Sequence, residues 1–326
     1  VYTTGTSIDT GGQPRESLRT VYGRIDQDID RAIELLEKAR ETTLAENNKS
    51  HINLYVALGI KSRACLAEGD WDGAFKAAKR VIDEGGYAVG TKSDLTSGMN
   101  SLDKQNVMWG AGIQVADQAG GYAGFFTHMD NKEGAYAKSA PKLISKQLYN
   151  RISATDIRRD WWDPSDKESP YVSKKFSFAN VASFLGDYIY MRVEEMYFIE
   201  AEAKAHENLG EGIRLLKEFM NNYRIVGGGY DCTNMSSVEN FTNELMLQKR
   251  IEFWGEGIVM FDMKRLDMST RRGYVGTNSP ASYRLNTEGR APYWNFVISR
   301  GETQNNPVIA TQNNPDPSQT VKPWNG

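Results

Sequence analysis

Two glutamates four residues apart, Glu252 and Glu256, stand in a run that also holds Arg250, Gly257, Asp262 and Arg265. Paired carboxylates can do general acid–base chemistry and can cleave glycosidic bonds when they face each other across a cleft. On one helix at i and i+4 they share a face instead, and like charges there need cations beside them. Arg250 and Arg265 are expected to supply those cations, in an ion-pair network that serves as scaffold rather than catalyst. Glu194, Glu195, Glu200 and Glu202 also fall on one expected helix, where a solvated or ion-paired face is the better reading.

The other residue set with chemical potential is aromatic. Gln118, Tyr122, Phe125 and Phe126 lie in a glycine-rich stretch, followed by Asp130, Asn131 and Tyr136, and then by the adjacent pair Trp161 and Trp162 beside Arg158, Arg159 and Asp160. Glycines at this density forbid a stable helix and leave rings on loops. A sugar offers an apolar C–H face and a rim of hydroxyls, which flat rings flanked by amide, carboxylate and guanidinium groups can match. Adjacent tryptophans in an extended segment point to opposite sides, so at least one is expected to be partly exposed. Core packing is the competing role for each single ring. Asp130, Asn131 and Glu133 also offer oxygens to a calcium ion, although they lack EF-hand spacing.

Other chemistries lack their motifs. There is no G-x-S-x-G elbow, no phosphate-binding G-x-x-x-x-G-K-[ST] loop and no dinucleotide fingerprint. Three histidines and two cysteines are scattered without zinc spacing, so no metal and no cofactor is expected beyond the calcium option. Cys65 falls in a helical apolar pattern and is expected to be buried, and two cysteines make no disulfide framework. The 326 residues carry a formal charge of −3, so no basic excess points to nucleic acid. No apolar run reaches the roughly 20 residues of a membrane-spanning helix.

The elements that must position these side chains are mostly helical. Leu18, Val21, Tyr22, Ile25, Ile29, Ile33 and Leu36 recur at helical spacing. A helical hairpin is predicted over 52–84, turning at Gly69-Asp70-Trp71 with Asp70 as N-cap, and a second over 192–223, turning at Leu209-Gly210. Both are rich in small residues and resemble tetratricopeptide units, although they are not in tandem. Between them, Val107, Trp109, Ala111, Ile113 and Val115 alternate as a strand with an apolar face, which places Trp109 in the core. Trp71 and Trp254 are expected to be packing residues. Ser236 and Glu239 have capping-box spacing ahead of a helix through Trp254. Two copies of Gln-Asn-Asn-Pro, at 304–307 and 312–315, mark turns in a C-terminal tail.

Three motifs in order carry a family resemblance. Leu247-Gln-Lys-Arg-Ile-Glu-Phe-Trp-Gly-Glu-Gly-Ile258 with Phe261-Asp262-Met-Lys-Arg265 is similar to the signature of the SusD/RagB family, the surface glycan-binding lipoproteins of Bacteroidetes. The matching positions are Arg250, Glu252, Glu256, Gly257, Asp262 and Arg265. Arg192-x-Glu-Glu-Met-Tyr-x-Ile-Glu-Ala-Glu-Ala203 and Val21-Tyr22-x-x-Ile-x-x-Asp28-Ile-x-x-Ala32 resemble two further family helices.

The resemblance implies a mainly α, SusD-like fold: tetratricopeptide-like hairpins with an irregular loop-rich segment and few short strands. Residues 15–86 and 191–266 would be scaffold, 87–190 the loop-rich ligand segment and 267–326 a surface-wrapping tail. All would belong to one domain whose N-terminal part, with signal peptide and lipidated cysteine, precedes Val1. It also implies non-catalytic capture of an oligo- or polysaccharide at the cell outer membrane and delivery to a SusC-type TonB-dependent transporter, with membrane attachment through the lipid anchor alone. A helical-repeat adaptor for protein or peptide, and a glycoside hydrolase, are the rival readings.

Overall fold

The computed structural model describes residues 12–42, 48–117, 123–316 and 322–325. The chain divides into two compact units, Ile29–Val259 and a second built from Val1–Asp28 with Met260–Gly326. The expected mainly helical, SusD-like architecture is found.

In the larger unit, α1 (Leu18–Thr42) contributes Ile29, Ile33 and Leu36 to a core shared with the hairpin α2 (Leu54–Glu68) and α3 (Trp71–Glu84). The hairpin forms where the sequence punctuates it. The Asn53 side chain accepts from the Val56 amide at the start of α2. Gly69 ends that helix in the left-handed region at φ 84°, which costs a residue without Cβ little. Asp70 then caps α3 by accepting from the Gly73 amide, as predicted. Small residues let neighbours close in: a Cβ at Gly59 would stand 2.4 Å from Met191 Sδ.

The strand β1 (Val107–Ala111) is shorter than the alternating run, and pairs antiparallel with β4 (Tyr188–Arg192). The register runs Val107↔Arg192, Trp109↔Met191, Gly110↔Ile189 and Ala111↔Tyr188, with irregularities around Trp109. Two residues each from β2 (Trp162–Asp163) and β3 (Val172–Ser173) make a second small ribbon. Short helices α4 (Phe125–Met129) and α5 (Ala135–Ser139) follow the glycine-rich stretch, of which residues 118–122 lie outside the described residues.

Strand β4 runs directly into α6 (Val193–Glu207), which forms the second hairpin with α7 (Leu209–Tyr223) and is followed by α8 (Val238–Glu252). Helix α6 packs on α3, α7 and α8 and is buried nearly all round. Glu194, Glu195, Glu200 and Glu202 are therefore buried rather than solvated, and of the two expected readings the ion-paired one holds: Arg224, Arg63, Lys79 and Lys249 face them in turn. A central helix has no side left for water.

In the smaller unit, α9 (Val259–Arg265) leads into a chain held mainly by side-chain bonds to backbone. Asn313 accepts from the Ile298 amide and donates back to its carbonyl, and Asn306 donates to the Gln13 carbonyl. These asparagines belong to the two Gln-Asn-Asn-Pro copies. Among the described residues no helix is long and apolar enough to cross a membrane.

Candidate functional site

Glu252 and Glu256 do not share a helix face. Helix α8 ends at Glu252, and the turn Phe253–Gly257, with left-handed Gly255 and Gly257, carries Glu256 back beside it. The cations are also not the expected ones. Arg224 binds both oxygens of Glu252 at 2.9 Å each, Arg192 adds a bond at 2.9 Å and Arg158 one at 3.2 Å. Arg192 also holds both oxygens of Glu256, at 2.8 and 2.9 Å, and Lys175 donates to that carboxylate at 2.6 Å. Glu194 receives Arg224 at 3.2 Å, the Asn106 amide group and the Gly90 amide. Asp156 pairs with Arg158 at 2.7 Å.

Four cations thus meet four carboxylates inside the protein. Burial by itself would raise the Glu252 and Glu256 carboxyls; Arg224 and Arg192 at the first, and Arg192 and Lys175 at the second, override it and hold both below the ordinary carboxylate range. Burial, with Arg192 beside it, pushes Lys175 down to about 8 against the pull of Glu256. Arg250, by contrast, is exposed and makes no ion pair among the described residues. Arg265 pairs with Asp262 at 2.7 Å, three residues before it in α9. The network ties the chain segments around residues 158, 175, 192, 224 and 252 together, and its carboxylates are committed to cations rather than open to a substrate.

The predicted rings fare unevenly. Gln118 and Tyr122 lie outside the described residues. Trp161 and Trp162 are 1% and 2% exposed, so the expectation of a partly exposed tryptophan is corrected. The turn from Ile157–Trp161 into β2 lets both rings enter one core: they meet edge to face at 5.8 Å, and Trp161 Nε1 donates to the Leu95 carbonyl. Phe126 is buried against Phe178, close enough to Gly186 that a Cβ there would fall 2.5 Å from its ring.

Asp130 and Asn131 are also structural. Asp130 is buried and accepts from the amides of Lys132, Glu133 and Phe178. Asn131 accepts from the Lys142 amide and donates to the Ser173 carbonyl. These oxygens serve the backbone, and among the described residues no cluster of three or more acidic, histidine or cysteine side chains is gathered for a metal. Tyr136 is 43% exposed and lies flat on His128, ring centroids 4.6 Å apart.

A different ring faces outward, Tyr190 on β4. Tyr188 and Tyr190 are two apart on β4 and so share a side of the strand. Tyr190, 45% exposed, meets half-buried Trp109 across the ribbon at 5.2 Å. Half-buried Tyr188 meets half-buried Phe125 at 6.2 Å. Tyr188 and Phe125 pack against the core of Phe126, Phe176 and Phe178, so the ring pair that reaches solvent on the ribbon is Tyr190 with Trp109. Beside it, Arg63 donates to the Tyr190 carbonyl and makes a two-pronged pair with Glu195 at 2.6 and 2.7 Å. Just before β4, Asp187 is fixed by the Leu102 and Ile113 amides. Apolar faces with charged groups beside them are what a sugar ring requires. Trp109 packs against the core as expected, half-buried, with one side left to Tyr190; sequence reasoning missed Tyr190, for which the Tyr-Ile-Tyr alternation before Arg192 was the available signal.

Helical hairpins fastened by a buried charge network, with side chains offered from an irregular intervening segment, define a scaffold protein of the tetratricopeptide-like class. The sequence profile of the SusD family matches residues 127–319, and the chain belongs to that family. Among solved structures, it is similar to a SusD-like carbohydrate-binding protein from Bacteroides vulgatus, with 25% identity and a TM-score of 0.78, over 98% of this chain and 71% of that one. A SusD superfamily protein from Bacteroides thetaiotaomicron (20% identity, TM-score 0.73, 97% and 70% covered) shares the fold. So does surface glycan-binding protein A from Bacteroides uniformis (16% identity, TM-score 0.64, 92% and 70% covered). No curated protein matches the chain significantly.

Proposed function

We propose that this chain captures an oligosaccharide at the cell surface without cleaving it and passes it to a SusC-type TonB-dependent transporter in the outer membrane, to which a lipid anchor would keep it close. Family membership supports this, as do the carbohydrate- and glycan-binding descriptions of its structural neighbours. The observation that carries it is the ring pair of exposed Tyr190 and half-buried Trp109 on the ribbon, with the Arg63 guanidinium beside it. A ring face supplies dispersion and area burial, and a neighbouring guanidinium supplies directional bonds to hydroxyls. The signature carboxylates support capture over hydrolysis, because each is held by cations inside the scaffold.

A glycan array with the purified chain, followed by calorimetry and product analysis on each hit, tests the reading. Saturable binding that weakens in Tyr190→Ala, with no new reducing ends over time, supports it. Release of reducing sugar would refute the non-catalytic part, and binding untouched by Tyr190→Ala would refute the ribbon site.

A further inference from the structure

The cation beside the exposed ring is already neutralised. Arg63 stands on α2, Glu195 in the first turn of α6 and Tyr190 at the middle of β4, so three elements meet at the ring. Arg63 Nε and Nη2 go to the two oxygens of Glu195, and Nη2 also donates to the Tyr190 carbonyl at 2.9 Å. The Glu195 side chain is 7% exposed and that of Arg63 31%. The pair is buried at its acidic end and partly open at its basic end, and its two charges cancel.

The neighbouring charges leave the balance where it is. Lys49, whose carbonyl takes the Gly110 amide on the outer edge of β1, puts its ammonium on the Lys104 carbonyl at 2.6 Å, with Asp103 close by. Lys61, two residues before Arg63, is paired with Asp30. Asp187 accepts from two backbone amides and has no cation partner among the described residues. The rings therefore sit in surroundings that are neutral to slightly negative.

A sugar hydroxyl can accept from the Arg63 guanidinium without disturbing this balance. A carboxylate or sulfate group gains little beside a neutral pair, and drawing Arg63 toward itself would leave the buried Glu195 carboxylate without its cation. The C–H face of a neutral pyranose meets the Tyr190 ring at no electrostatic cost.

Taking the ribbon as the glycan site, we propose that it selects neutral sugar units over uronates and sulfated sugars, and that Glu195 sets this preference by cancelling the charge of Arg63. Glu195 acts here as a positioning residue. A glycan array carrying neutral, uronate-containing and sulfated oligosaccharides, read with the unsubstituted chain, Tyr190→Ala and Glu195→Gln, tests it. Hits that weaken in Tyr190→Ala should be neutral. Calorimetry on each should give an affinity that changes less than about twofold between about 50 and 500 mM NaCl, because no charge pair with the ligand is there to be screened. Glu195→Gln unmasks the guanidinium. The uronate counterpart of a neutral hit, with a carboxylate in place of the C6 hydroxymethyl, should then bind about tenfold or more better than it does to the unsubstituted chain. If Glu195→Gln unfolds, the class of the hits and their salt dependence carry the test.

A uronate or sulfated hit that weakens in Tyr190→Ala, or a hit whose affinity falls steeply with salt, overturns the charge selection while leaving the ribbon as the glycan site. So does a Glu195→Gln variant that melts as the unsubstituted chain does yet gains nothing for the uronate. An array with no hit weakened by Tyr190→Ala overturns the site itself, and the selection with it.

Discussion

Arg224 grips Glu252 with two parallel bonds, Nε to Oε2 and Nη2 to Oε1, both at 2.9 Å, and neither side chain reaches solvent. Planar guanidinium and planar carboxylate match each other in this geometry. Because Glu252 also serves Arg192 and Arg158, it is the anion on which three cations depend. Glu252→Gln keeps the shape but leaves a buried positive excess. It is expected to destabilise the fold by roughly 3–5 kcal/mol, the usual cost of removing one partner from a buried pair. Urea unfolding should show a lower midpoint at unchanged slope; an unchanged midpoint would mean that the network adds nothing.

The network also sets the pH response. Glu252 and Glu256 stay ionised in the folded protein below the ordinary 4.5 of a glutamate. Their contribution is thus fully present above pH 4.5 and is lost as pH falls below it, because the unfolded chain then takes up protons that the folded one refuses. Lys175 acts at the other end. Its folded value of about 8 lies under the ordinary 10.5, so the penalty of burying its charge fades as pH rises between these values. Melting temperature followed from pH 7 to pH 3 should fall steeply below 4.5, and more shallowly in Glu256→Gln. Equal slopes in the two proteins would remove Glu256 from the account.

Two aromatic substitutions separate packing from display. Trp162→Ala empties a fully buried site beside Trp161 and Trp254, and should cost roughly 3–5 kcal/mol. Tyr190→Ala removes a ring already half in water, and should leave the melting temperature nearly unchanged while weakening glycan binding by up to about tenfold. Thermal melts of both variants, with calorimetry on any glycan hit, check the pair. A large melting loss in Tyr190→Ala would make it a packing residue.

What the sequence made legible was local and periodic. The hairpins, Asp70 as a cap and the strand start at Val107 follow from apolar spacing and capping chemistry acting within a few residues. The partners of Glu252 were not legible because they come from positions 158, 192 and 224, and spacing carries no information on which distant arginine a fold delivers. The tryptophan pair failed for a related reason. A rule for extended chain was applied where a tight helical turn ends at Trp161 and rotates the two rings into one core. Tyr190 was missed because its alternation is only five residues long and ends in a helix.

Arginine identity provides the sharpest contrast between the two levels of reading. Within the signature, Arg250 is the residue that sequence spacing places beside the glutamates, yet it lies exposed on α8 with no ion pair among the described residues. Arg224, at the end of α7 and outside every motif, is buried and bonds to Glu252, Glu194 and the Gly90 carbonyl. Arg250→Ala should therefore change stability by no more than about 0.5 kcal/mol, the range of ordinary surface substitutions. Arg224→Ala should cost several-fold more, because it strands two carboxylates in a dry interior. Parallel urea titrations at pH 7 decide the matter: the reverse order would return the signature arginine to the centre of the network and displace Arg224 from it.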